Sequence, residues 1–180
     1  MFITRFRTRW ILAGVFIATG TLGTGIATVR PAHAQAKYVS PTGFSFVAPK
    51  GWKRDDAEKS MGRVRYTLTE PTQGRVLVSL ATVYVADGST LESLAEKVRT
   101  LARENGDQMT IVSDKSVRSG AVPGVVIVTN NARPSEPDTE MTFVSVKSGK
   151  PCQIVLKCKT ADAAKYKPAF DKAVATFAWK

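Results

Sequence analysis

Short runs of alternating apolar and polar residues, joined in pairs by turn residues, restrict the fold of this chain more than any other feature. Four such pairs occur. Residues 37–40 and 44–48 flank Pro41-Thr42-Gly43, and residues 64–70 and 75–85 flank Pro71-Thr72-Gln73-Gly74. Residues 109–118 and 122–130 flank Ser119-Gly120, and residues 140–147 and 152–159 flank Ser148-Gly149-Lys150. Parallel neighbours would need a crossover of about a dozen residues, so these short links predict antiparallel hairpins.

Two further segments predict helices. In the first, Ser89-Thr90-Leu91-Glu92 matches a capping box with Ser89 as N-cap, apolar residues recur at helical spacing, and Asn105-Gly106 gives the stop. The second covers about residues 167–177, with Pro168 in its first turn. Hairpins with one helix inserted and one appended predict an α+β fold around a central antiparallel sheet of about six to eight strands.

The first 36 residues have the pattern of a cleavable export signal. Three arginines (Arg5, Arg7, Arg9) precede the apolar residues 10–18, and Ala32-His33-Ala34 and Ala34-Gln35-Ala36 both offer small residues at processing-site spacing. The pattern predicts a signal peptide at 1–36 and one domain at 37–180, exported to the periplasm or the extracellular space. The alternative is a retained anchor, because the uncharged stretch is nearly long enough to span a bilayer. Its glycines favour cleavage.

Removal of the signal lowers the positive charge of the chain. The full sequence has 26 basic and 15 acidic residues, a net charge of +11. The signal contains four arginines and no acid, so 22 basic residues remain against 15 acidic ones, a net charge of +7. This charge favours anionic surfaces. Nucleic acid is not expected as a partner, because the protein is predicted to be exported.

Cys152 and Cys158 are predicted to be free, buried thiols. They are separated by six residues of one predicted strand, which span roughly 20 Å, whereas the Cα atoms of a disulfide lie within about 7 Å of each other. A zinc site would need more ligands than these two thiols, because His33 is the only histidine and leaves with the signal. We therefore predict no disulfide, no metal and no cofactor.

The residue inventory also argues against an enzyme. Without a histidine, the usual general base is absent from the mature chain. The densest acidic cluster, Asp55, Asp56 and Glu58, lies among basic residues in a predicted loop, which favours solvated charges over a catalytic pair. We predict no catalytic residue. A hydrolase that uses residues not identified by any motif is the weakest alternative.

One motif resembles a known family. The run from Gly43 to Trp52 contains Gly43, Phe44, Phe46, Pro49, Gly51 and Trp52 at the spacing of the opening G-F/Y-x-F-x-x-P-x-G-W of PsbP/Mog1-type domains. The C-terminal pattern of Phe170, Val174 and Phe177 is similar too. The resemblance covers residues 37–180 and implies an α/β/α sandwich in which these six residues are a structural motif.

The resemblance implies binding rather than chemistry. Its members include photosystem II extrinsic subunits, a nuclear Ran-binding protein and envelope proteins. The metal-linked histidines of the photosynthetic members have no counterpart after processing. We therefore expect a non-catalytic accessory protein of the cell envelope, or of the thylakoid lumen in a photosynthetic host, which docks on a larger assembly or an anionic surface. The alternative is a carrier of a small apolar or lipid-like ligand between sheet and helix.

Overall fold

The computed structural model describes residues 36–55, 63–72, 74–83, 85–106 and 108–180. The predicted signal peptide, apart from Ala36, and two residues of the acidic cluster, Asp56 and Glu58, therefore lie outside the described residues. The strands are β1 Lys37–Val39, β2 Phe44–Val47, β3 Lys53–Asp55, β4 Arg65–Thr69, β5 Val76–Val83, β6 Met109–Ser119, β7 Val122–Asn131, β8 Asp138–Lys147, β9 Lys150–Lys159 and β10 Ala178–Trp179. The helices are α1 Leu91–Glu104 and α2 Ala163–Ala175, the latter preceded by a 3-10 turn at Thr160–Asp162.

Seven strands form the main sheet, in the order β3-β4-β5-β9-β8-β7-β6, and all neighbours are antiparallel. The hairpins β4–β5, β6–β7 and β8–β9 confirm the predicted pairs, and the α+β class with a central antiparallel sheet is confirmed. A second sheet has the order β1-β2-β10.

Helix α1 covers one face of the main sheet. Side chains alternate between the two faces of a strand, and on this face Val125, Ile127 and Val144 form a buried cluster with Leu94 and Ala95 of α1. The helix contacts β6, β7 and β8.

Helix α2 and the small sheet cover the opposite face. There Phe143, Ile154 and Leu156 belong to one buried cluster with Phe170 of α2 and Phe46 of β2. Full burial of an aromatic or aliphatic side chain of this size contributes about 1.5–3 kcal/mol. The two helices therefore lie on opposite faces, as the predicted α/β/α sandwich requires.

Helix α1 begins one residue later than predicted. Thr90 is the N-cap: its hydroxyl accepts from the Ser93 N–H at 3.0 Å, and the Ser93 hydroxyl accepts from the Thr90 N–H at 3.0 Å. The Ser89 hydroxyl instead donates to the Ala86 carbonyl, and Glu92 pairs with Arg99. The predicted capping box, with Ser89 as N-cap and Glu92 at the third helical position, was wrong because Thr90 and Ser93 form such a box one residue later.

Helix α2 begins four residues earlier than predicted and ends before Phe177. Tyr166 in its first turns is buried and meets Trp52 edge to face at 6.2 Å, which anchors the added turn. Pro168 is therefore inside the helix rather than in its first turn. It removes the hydrogen bond to the Ala164 carbonyl. Both residues are exposed, so this carbonyl faces solvent.

Candidate functional site

The two phenylalanines of the sequence motif hold the small sheet in place. Phe46 is fully buried and contacts Tyr38 and Tyr66, with ring centroids 5.3 and 6.2 Å away. Phe44 is 4% exposed and contacts Phe177 and Trp179 at 5.8 and 5.9 Å. Their contacts are with core rings, so these residues stabilise the fold.

The rest of the motif lies in the turns on either side of β2, with Gly43 before the strand and Pro49, Gly51 and Trp52 after it. Gly43 and Gly51 have φ values of 95° and 81°, which favour glycine. The Pro49 carbonyl accepts from the Trp52 N–H at 3.4 Å. Trp52 is half-buried against Tyr166 of α2. The motif therefore joins β2 to α2 through the contact between Trp52 and Tyr166.

The two cysteines are free and buried on one face of β9. Burial raises the pKa of Cys152 well above its ordinary value. It also raises the pKa of Cys158 to about 11, and Asp162 and Asp138 add in the same direction. Neither thiol is therefore an activated nucleophile near neutral pH.

The acidic cluster is not the solvated loop that the sequence predicts, at least at its first residue. Asp55 is the last residue of β3 and lies opposite Arg65 of β4, whose guanidinium donates to its carboxylate. Glu140 is another carboxyl group of interest, because burial raises its pKa. Its strand neighbour is Lys157, and its recorded hydrogen bond comes from the Thr142 hydroxyl at 3.5 Å. Asp55 and Glu140 thus lie on different strands of the main sheet, each opposite a basic residue, and do not form a carboxylate pair.

Cations gather at the end of the main sheet where β8 turns into β9. Lys147 and Lys150 lie directly opposite each other and flank Ser148-Gly149, whose φ values of 51° and 74° fit a two-residue hairpin turn. The Lys147 ammonium donates to the main-chain oxygen of Lys180 at 3.1 Å. We call Lys147, Lys150 and Lys180 the basic end. Within the described residues, no Asp or Glu carboxylate lies within 4.0 Å of these ammonium groups.

A cleft of about 240 Å³ opens beside Lys150. Its lining includes Arg63, Thr82, Asp87 and Cys152. The Nε atom of Arg63 is buried and lacks a hydrogen-bond partner in the described chain. The cleft therefore offers two cations, Arg63 and Lys150, against one acid.

At the opposite end of the sheet, two acids pair with four basic residues. There Asp138 pairs with Arg133 at 3.4 Å and Lys157 at 3.3 Å. Glu136 pairs with Lys159 and with Arg75, and the Lys159 contact lowers the pKa of Glu136. The bases at this end therefore each have a carboxylate partner, whereas Lys150 has no Asp or Glu carboxylate within 4.0 Å in the described residues.

An apolar groove of about 460 Å³ lies between α2 and the strands β6 to β8. We call it the α2 groove; its apolar lining is Val117, Val126, Val128, Met141, Phe170 and Val174. Lys115 lies on its sheet side, and an ion pair between Lys167 and Asp171, at 2.6 Å, lies on its helix side. The groove can accept an apolar chain or side chain.

Sequence reasoning missed both surfaces for different reasons. The sequence analysis predicted a turn that includes Lys150. In the structure Lys150 is the first residue of β9 and lies opposite Lys147, so a prediction of the shorter turn Ser148-Gly149 would have revealed the lysine pair. The α2 groove joins strands and a helix that are far apart in sequence. No local pattern marks it.

Other site types are not supported in the part of the chain that the structure covers. It contains no group of three or more His, Cys, Asp or Glu side chains placed to hold a metal ion. None of its helices is long and apolar enough to cross a bilayer.

Comparison with known proteins identifies the fold. No protein-family profile and no curated protein matches the sequence. The solved structure of cyanobacterial PsbP (CyanoP) from Synechocystis matches with a TM-score of 0.53 and 14% identity, covering 86% of this chain and 99% of that one. The Saccharomyces cerevisiae Ran-binding protein Mog1p matches with a TM-score of 0.54 and 10% identity, covering 81% and 96%.

Two further structures extend the comparison. LpqN of Mycobacterium tuberculosis, involved in cell envelope biogenesis, has a TM-score of 0.52 and 10% identity, covering 74% of this chain and 81% of that one. A Bacteroides thetaiotaomicron structure has a TM-score of 0.54 and 15% identity, and the present chain spans 49% of its length. At these identities the likeness shows a shared fold.

Proposed function

We propose that this chain, which has the PsbP/Mog1-like fold, is an exported, non-catalytic binding protein that docks through its basic end on an anionic surface of the cell envelope. The compartment would be the periplasm or the extracellular space, or the thylakoid lumen in a photosynthetic host. A larger envelope assembly with an acidic surface would present the same chemistry. The likeness to a Ran-binding protein and to a protein of envelope biogenesis supports a binding role.

The observation that carries the proposal is the lysine pair at the β8–β9 turn. Like charges on directly opposite strand residues destabilise a hairpin. No Asp or Glu carboxylate of the described residues lies within 4.0 Å of either ammonium group, and Lys147 donates to the main-chain oxygen of Lys180. An anionic surface would compensate both charges. Each lysine near such a surface contributes about 1 kcal/mol to binding. The mature charge of +7 would assist the encounter.

Vesicle binding tests the proposal. The purified protein without residues 1–34 is mixed with vesicles rich in phosphatidylglycerol and with neutral phosphatidylcholine vesicles, at low and high salt. We expect binding to the anionic vesicles only, weakening as salt rises. The double variant K147E/K150E should bind at least about 30-fold more weakly, because two lost attractions of about 1 kcal/mol each change the affinity by this factor.

The matched control has the same net charge with the basic end intact. Lys50 and Lys97 are exposed and belong to neither β8 nor β9, so K50E/K97E should lose much less affinity than K147E/K150E. Equal losses in the two variants would show that net charge, not the basic end, drives binding. Failure to bind anionic vesicles would contradict the proposal.

The α2 groove favours a second candidate function, a carrier of a small apolar or lipid-like ligand. Native mass spectrometry of the protein purified from its host should then show a non-covalent adduct. V128W would fill the groove and abolish the adduct, whereas V39W, at an exposed position on β1, would retain it. A protein that is adduct-free when purified from the host would contradict this role.

A further inference from the structure

Strand β6 forms a long edge of the main sheet. It has eleven residues, is last in the strand order and pairs with β7, and no other described strand pairs with its outer side. The opposite edge strand, β3, has three residues. Edge strands expose unpaired N–H and C=O groups, so natural proteins tend to keep them short or covered. The last residue of β6, Ser119, is buried and its hydroxyl donates to the Ala175 and Phe177 carbonyls. An edge about twice the usual strand length that no described strand pairs with therefore needs a reason.

Pro123 shows which backbone groups of β6 point outward. It lies opposite Arg118, and because proline has no N–H, this pair cannot be one that exchanges two backbone hydrogen bonds. The Pro123 carbonyl accepts from the Ser145 hydroxyl of β8 at 2.9 Å, away from β6. Hydrogen-bonded and non-bonded pairs alternate along an antiparallel ladder. The N–H and C=O groups of Asp114, Ser116 and Arg118 therefore point to the outer side.

The regular part of this edge begins after a bulge. The register with β7 shifts between Ile111 and Ser113, and it is unbroken from Ser113 to Ser119. Seven residues of strand span roughly 23 Å, which is enough to pair with a short extended segment. The bulge protects only the first part of β6.

The regular part carries net positive charge. Arg99 of α1 donates to the Asp114 carboxylate at 2.7 Å, and it also pairs with Glu92 and Glu96 of its own helix. Lys115 and Arg118 are exposed, and neither has an Asp or Glu carboxylate within 4.0 Å in the described chain. A strand that pairs here would be favoured if it carried acidic residues.

The α2 groove adjoins the same edge. Ser113, Lys115 and Val117 alternate on the side of β6 that lines the groove. Arg118 is also part of the groove lining, although its place in the strand puts it on the same side as Asp114 and Ser116. A strand added beside β6 would place every second side chain at the groove mouth, next to Val117, and the other side chains on the side of Asp114 and Arg118. In strand addition the main chain gives affinity, and pockets for alternate side chains give specificity.

We infer that the outer edge of β6 binds an extended acidic segment of a partner protein as an eighth strand. Apolar residues at alternate positions of the segment enter the mouth of the α2 groove, and the carboxylates between them face Arg118. Lys115 at the groove lip adds to the attraction. This site is separate from the basic end and does not depend on docking to an anionic surface.

The probe is a fluorescent peptide that alternates valine and glutamate and is long enough to span Ser113–Ser119. Fluorescence anisotropy with the purified protein should show saturable binding. The same peptide with lysine in place of glutamate should bind at least about tenfold more weakly, because attraction to Arg118 becomes repulsion. Equal binding of the two peptides would contradict the charge assignment.

Two substitutions test the edge itself. S116P removes one outward N–H and leaves the bonds between β6 and β7 intact, as edge strands permit, and should weaken binding about tenfold. S116A is its matched control and should bind normally. R118E should also weaken binding about tenfold, whereas K97E, an equal charge change on α1, should not. Unchanged binding by both S116P and R118E would overturn the inference.

Hydrogen exchange keeps the test valid if S116P does not fold. In the wild-type protein, the peptide should slow exchange at the amides of Asp114, Ser116 and Arg118, which are the outward ones. The amides of Lys115 and Val117 already face β7 and should change little. Unaltered exchange at the outward amides would overturn the inference. A peptide that only makes the protein dimerise, seen as a doubled mass, would overturn it too.

Discussion

At the scale of the residue, Cys158 links burial to pH. Its pKa is raised to about 11 from a model-peptide value of 9.0, first by burial and then by Asp162 and Asp138. Between these two pH values the unfolded chain loses the thiol proton while the folded chain keeps it. Folding stability should therefore fall as pH rises from 9 to 11, by at most about 3 kcal/mol from this residue. Below pH 9 this contribution does not change.

Urea unfolding of the wild type and C158A across this pH range measures the effect. The alanine variant is less stable at pH 8, and its free energy of unfolding should fall less steeply above pH 9. Ile154 is fully buried on the same strand face, so I154V is a control that loses core contact and keeps both thiols. Its curve should run parallel to that of the wild type. A parallel C158A curve would contradict the pKa assignment.

Gly124 offers a second test at this scale. A Cβ atom there would overlap the Phe143 ring and approach the Val144 carbonyl oxygen to 2.8 Å. Overpacking of this kind costs about 1–3 kcal/mol, so G124A should lower the free energy of unfolding by this amount. F143L removes the ring from this space. The double variant G124A/F143L should therefore lose less free energy of unfolding than the sum of the losses of the two single variants. Strict additivity in urea unfolding would show that the ring is not the obstacle.

At the scale of the element, the cap of α1 separates two neighbouring residues. Thr90 makes the reciprocal hydrogen bonds with Ser93, whereas the Ser89 hydroxyl donates to a loop carbonyl. T90A should cost about 1 kcal/mol of folding stability, and S89A should cost much less because the Ser89 hydroxyl bonds to a loop carbonyl and caps no N–H of the helix. Thermal unfolding of the two variants decides between the caps. A larger loss from S89A would restore the N-cap that the sequence predicts.

The elements that the sequence reveals are those with local signals. The hairpins β6–β7 and β8–β9 have alternating residues and glycine turns, and both pairs were predicted. Strands β3 and β10 were missed, because strands of three and two residues carry no period and depend on distant partners, β4 and β2. The predicted start of α2 was four residues too late. The preference of Pro168 for a first turn is a local signal, whereas the burial of Tyr166 depends on tertiary packing.

At the scale of the whole molecule, the candidate sites depend on an order of strands that local patterns leave open. The sequence predicts that β8 pairs with β9, but not that β9 lies between β5 and β8. This order leaves β6 as an edge beside α2. The positive charge was evident from composition, whereas the placement of Lys147 opposite Lys150 depends on the register that makes Lys150 the first residue of β9. Fold class is thus accessible from the sequence, and surfaces assembled from distant elements are not.

The last prediction rests on the proposed export and concerns the residue at which the processed chain would begin. Both Ala34 and Ala36 suit signal processing, but the carbonyl of Ala36 accepts from the Ala48 N–H at 3.0 Å in the folded domain. Cleavage after Ala36 would remove this acceptor, so we expect cleavage after Ala34 and a mature chain that starts at Gln35. N-terminal sequencing of the protein from the exported fraction tests this. A purified chain of residues 37–180 should be about 0.5–1.5 kcal/mol less stable in urea than residues 35–180. A mature chain that starts at Lys37, or an uncleaved chain in the membrane fraction, would contradict the prediction.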